Sequence, residues 1–155
     1  MKNVVYKDLI YVVIIGFLVA TLTGIAVGTI DFLLYDLAGF TMNIFFFIGT
    51  YFIASYIRRQ YVDSVKLYQI IAVIVTIYGY FFSIVVFQTF ILGLNAFEFI
   101  FKIVFSFRYM INFFNPTNVI DGGFGTVIEY LFIFIFGYIA YTKTKWLKVF
   151  SFNEY

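Results

Sequence analysis

The sequence has no histidine and no cysteine, a single proline and a single tryptophan, and only 12% charged residues over 155 positions. Lack of imidazole and thiol excludes disulfides, thiol nucleophiles, histidine-containing triads and ordinary zinc or haem ligation. No metal and no cofactor are expected. A soluble domain carries roughly 25% charged residues, about twice the share found here. The remainder is 64% hydrophobic and 25% aromatic, with a mean hydropathy of +1.02. So much apolar surface has no interior large enough to hide in, and the expected solvent is a lipid bilayer. A net charge of +2 is too small to indicate a nucleic-acid partner, so the basic residues matter by position.

The uncharged runs give the spans. Residues 9–30 would form a helix of about 33 Å, enough to cross a hydrocarbon core of about 30 Å. Lys2 and Lys7 precede it as they would a signal peptide, but the apolar stretch is too long for one and no A-x-A site follows. Asp31 and Asp36 are expected to bracket a short turn before a second span, 37–57, which Arg58 and Arg59 stop. A third run, 67–97, would reach about 46 Å as one helix. The polar Gln88, Thr89 and Asn95 with Gly93 place its exit near residue 90. A fourth span covers 122–142, with Lys143, Lys145, Lys148 and Trp146 just beyond it, where interfacial residues collect.

Between spans three and four, Glu98, Lys102, Ser106, Tyr109 and Asn112 recur at helical spacing and form one polar face. A span here would carry Lys102 and Arg108 into the bilayer at about 2.5 to 3.5 kcal/mol each. The segment 96–115 is therefore read as an amphipathic interfacial helix, anchored by Glu98, Lys102 and Arg108. Continuation of helix three is the alternative. Asn115-Pro116 ends it. The expected architecture is an all-α integral membrane protein, one domain over 1–155, built as a four-transmembrane-helix bundle.

Four spans put both termini on one side, together with every basic residue except Lys102 and Arg108. The positive-inside rule makes that side cytoplasmic. On the other side Asp31, Asp36, Glu98 and Asp121 are scattered without metal-loop spacing.

Helix one carries Gly16, Ala20, Gly24 and Gly28 in a strict four-residue repeat, a groove that lets another backbone approach. Helix three offers Ala72, Thr76, Gly79 and Ser83 as a counterpart. The groove seats a helix of the same chain or, alternatively, a second copy or another membrane subunit. Glu129 is the one acidic residue inside an expected span. Thr126-x-x-Glu129 has the form of a capping box, and a functional carboxylate is the competing reading. Asp121-Gly122-Gly123-Phe124-Gly125 lacks the Gly-Lys-Ser/Thr ending of a phosphate loop.

The abundance of Phe, Tyr, Ile, Asn and Lys suits an AT-rich bacterial genome. The glycine-zipper first helix, the paired Arg58-Arg59 and the Ile71-Ala72 opening with Gly79-Tyr80 resemble small bacterial membrane proteins of unassigned role. That likeness implies four spans and no particular activity. The expected function is a non-enzymatic assembly or accessory subunit of a bacterial cytoplasmic-membrane complex. The alternative is a small transporter or channel component for a neutral or lipid-linked solute. No clustered nucleophile, base and orienting group supports an enzyme.

Overall fold

A computed structural model describes residues 6–39, 44–60, 66–93, 98, 106, 108, 110–112 and 123–146, and among these there is no strand. Among the described residues four helices have continuous bounds: α1 (Tyr6–Ala38), α2 (Phe45–Arg59), α3 (Lys66–Ile91) and α4 (Gly123–Trp146). Among the described residues three stretches are long and apolar enough to cross a membrane: Leu9–Ala38, Lys66–Ile91 and Val127–Thr144. At 15 residues, α2 reaches only about 22 Å.

The first helix corrects the sequence reading. No turn separates Asp31 from Asp36, since both lie inside α1, which continues to Ala38. An aspartate in a helix costs at most about 0.7 kcal/mol, whereas backbone amides released in an apolar setting cost several times more. The stop is Gly39, whose φ of 71° takes the left-handed conformation and whose N–H donates to Tyr35 O at 2.9 Å. Consequently α2 begins at Phe45 rather than at 37. At the end of α3, Leu92 N–H donates to Gln88 O and Gly93, at φ 62°, donates to Phe90 O.

Neighbouring residues fix the directions of the helices. Gly16 of α1 faces Val75, Gly24 faces Gly79 and Ser83, and Gly28 faces Ser83 and Val86, so α1 and α3 run parallel. Ile57 of α2 meets Gly16 while Gly49 meets Thr23 and Val27, which makes α2 antiparallel to α1. In α4, Phe132 meets Phe47 and Lys143 meets Tyr51, so it follows the direction of α2.

Aromatic rings lock the elements together. Phe46 of α2, Tyr80 of α3 and Phe136 of α4 form a closed triangle with centroid separations of 5.4, 5.1 and 5.2 Å. All three are buried. In lipid the hydrophobic effect gives helices little reason to meet, so close packing and favourable ring geometry carry the association.

Most of the segment 96–115, Lys102 included, lies outside the described residues. Glu98 and Arg108 are exposed, but Ser106 is fully buried while Ile111 is 68% exposed. The described part of the expected polar face is therefore not turned uniformly outward.

Candidate functional site

The two small-residue stripes meet each other. A Cβ on Gly24 would stand 3.0 Å from Gly79 O, and one on Gly28 would stand 2.5 Å from Ser83 O. On the facing side, a Cβ on Gly79 would be 3.3 Å from the Ala20 Cβ. Ala72, Thr76 and Ser83 are buried with them. Backbone of α3 thus fills the groove of α1, and no room is left there for a helix of a second chain. Gly16 is less crowded, with Ile57 and Val75 side chains at 3.5 Å.

The same side of α1 continues from Gly24 and Gly28 to Asp31. This carboxylate is 5% exposed, and its Oδ1 has no hydrogen-bond partner among the described residues. Phe32 stacks on Phe90 at 5.1 Å and Tyr35 meets Phe87 edge-on at 5.8 Å, so aromatic contacts between α1 and α3 flank it. Most hydroxyls in the helices satisfy themselves on their own backbone. Thr21 donates to Phe17 O, Thr29 to Ile25 O, Ser83 to Tyr80 O and Thr89 to Val85 O, all at 2.7 or 2.8 Å. Among the described residues, Thr50 and Thr76 are fully buried with an unpartnered Oγ1.

Glu129 is half-buried on α4. The helix starts at Gly123, so Thr126 lies within it and Thr126-x-x-Glu129 is not a capping box at its start. Each glycine costs about 1 kcal/mol in a helix, less than leaving amides unbonded near lipid.

A second polar feature lies on the outside, between α2 and α4. Tyr51, Tyr138, Ile139, Thr142 and Lys143 line an open cleft of about 400 Å³. Lys143 Nζ donates to the Tyr51 hydroxyl and stands 3.9 Å from the centroid of the same ring. An ammonium on a ring face gains electrostatically from the ring quadrupole, more so where water is scarce. Thr142 commits its hydroxyl proton to the backbone, with Tyr138 O at 2.8 Å and Ile139 O at 3.1 Å.

Two of these features escaped the sequence reading. Asp31 had a signal, because Gly24, Gly28, Asp31 and Tyr35 keep a spacing of four, three and four. In the sequence alone its charge reads as the end of a helix. The pairing of Tyr51 with Lys143, across 92 residues of chain, had none. Among the described residues no group of three or more acidic side chains is placed to hold a metal ion. Compared with protein-family models, with curated proteins and with solved structures, the chain matches none.

Proposed function

We propose that this chain is a non-enzymatic, four-span membrane protein that serves as an assembly or accessory subunit of a complex in the bacterial cytoplasmic membrane. Both termini are cytoplasmic in this reading. Its short α2 is the remaining span in this reading. Support comes from the helix directions and from the shared location of Arg58, Arg59, Lys66 and Lys143 at one end of the packed helices.

The observation that carries the subunit reading is the outward face of α4. Val127, Leu131 and Phe134 are exposed along it, Phe134 at 76%. Their spacing of four and three is that of a seam along which a second helix packs. Only 28% of the α4 span is buried within the chain, against 33% for α1 and 61% for α3. Because the groove of helix one is filled by α3, we assign the partner surface to α4.

The test is detergent-corrected mass beside a melting curve for Leu131→Ala combined with Phe134→Ala. Loss of a partner at unchanged melting temperature is expected, because these side chains add little to the chain's own core. An unchanged assembly would leave the seam facing lipid only.

A second reading, a small transporter or channel component, draws on Asp31. Carboxylates within spans commonly mark ion or proton paths. Solute flux in proteoliposomes that disappears in Asp31→Asn would put this reading ahead.

A further inference from the structure

We propose that the cleft between α2 and α4 binds the phosphate of an anionic lipid headgroup, through Lys143, Tyr51 and Tyr138. This goes beyond the subunit reading and does not depend on it.

The donors come first. An ammonium has three N–H groups, and the Tyr51 hydroxyl takes one of them. Because Tyr51 accepts from Lys143, its own O–H remains available to donate. Tyr138 lines the same cleft, and its hydroxyl makes no hydrogen bond among the described residues. Thr142 has spent its proton on the backbone. The cleft therefore offers one cation and two hydroxyl donors to a guest. A phosphodiester answers with one negative charge and two non-bridging oxygens; in an anionic lipid that charge is uncompensated, whereas the choline cation of phosphatidylcholine offsets it and is repelled by Lys143, and hydrogen bonds between charged partners are the strong kind.

Position argues for a lipid as the source. Lys143 is the next-to-last residue of the apolar stretch Val127–Thr144, the level at which lysines and tyrosines of a span reach headgroups. A helix of about 22 Å borders the cleft on the other side. A bilayer beside so short a helix thins locally, which moves headgroups toward Tyr51. Away from this end of the helices, Ile48 on the α2 side is 71% exposed, an apolar path for an acyl chain. Arg59 and Lys66 are exposed at the same end as Lys143 and add positive potential.

The experiment offers phosphatidylglycerol or phosphatidylcholine to the full-length, delipidated protein and reads retained lipid by native mass spectrometry. Phosphatidylglycerol is retained over phosphatidylcholine in the parent. Lys143→Met lowers its occupancy by roughly fivefold or more, the scale of one lost cation near a headgroup. Tyr138→Phe lowers it by a smaller factor while removing nothing that holds the helices together, so it decides the matter if Lys143→Met impairs folding. Lys66→Met, which removes only background potential and no cleft donor, lowers occupancy by less than Lys143→Met does. Competition by millimolar glycerol 3-phosphate would mean that phosphate is recognised without its chains; absence of competition would assign the recognition to phosphate in lipid. Either result sustains the phosphate site. Equal retention of the two lipids, or parental occupancy in both Lys143→Met and Tyr138→Phe, overturns it. A protein partner lost from Lys143→Met with no difference between lipids overturns it in favour of a carboxylate-bearing helix.

Discussion

The carbonyl oxygen of Ser83 stands 2.5 Å from the point that a side chain on Gly28 would occupy. No side-chain rotation relieves that clash, since the obstacle is backbone. At Gly16 the nearest atoms are flexible side-chain ends at 3.5 Å, ordinary van der Waals contact. Gly28→Ala is therefore expected to lower the melting temperature in detergent, by the equivalent of about 1 to 3 kcal/mol of overpacking. Gly16→Ala should raise it slightly, because alanine gains about 1 kcal/mol over glycine in a helix. Gly24→Leu should melt early without any change in assembly mass, the damage being between α1 and α3 of one chain. Equal melting of the two alanine variants would contradict the contact.

Asp31 gives a prediction of opposite sign. Its buried Oδ1 lacks a partner, and an unsatisfied buried polar group costs about 1 to 3 kcal/mol. Asp31→Leu should stabilise the protein by an amount of that order, read as an upward shift of the melting curve. Asp31→Asn, which keeps the shape and leaves an amide in the same place, should gain less. If the leucine variant melts earlier than the parent, the carboxylate has a stabilising partner after all.

The hydroxyls of Thr50 and Thr76 make a paired test. Both are buried without a hydrogen bond, and valine has nearly their shape. Thr76→Val and Thr50→Val should each stabilise by up to about 1 kcal/mol. Thr89→Val should lose stability instead, because Thr89 donates to Val85 O. Chemical unfolding of all three in one detergent checks the contrast.

Topology is tested in intact cells with single cysteines and an impermeant thiol reagent. Positions Ser64 and Ser151 should resist labelling, while Asp36 and Asn118 should react, in line with the distribution of basic residues. Labelling at Ser151 from outside would remove the four-span arrangement.

Much of the fold was legible because it depends on local pattern. Uncharged runs fall in α1, α3 and α4, and small residues at every fourth position mark the side of α1 that meets α3. The boundary between α1 and α2 was not legible. Two aspartates looked like a turn, yet the preference of a single residue is small beside the cost of unbonded amides, so the helix ran on to a glycine able to adopt a positive φ. The register of the stripes was equally hidden: nothing in Gly28 names Ser83 as its neighbour.

Composition and periodicity by themselves determined that the chain belongs in an apolar solvent, that the cores of α1, α3 and α4 are helical, and that imidazole and thiol chemistry are excluded. These follow from counting and from the 3.6-residue repeat. Which faces meet was decided only in three dimensions, where packing joins residues far apart in the chain. That is why Asp31 became an interior carboxylate, why the groove of α1 closed on α3, and why Lys143 came to rest on Tyr51.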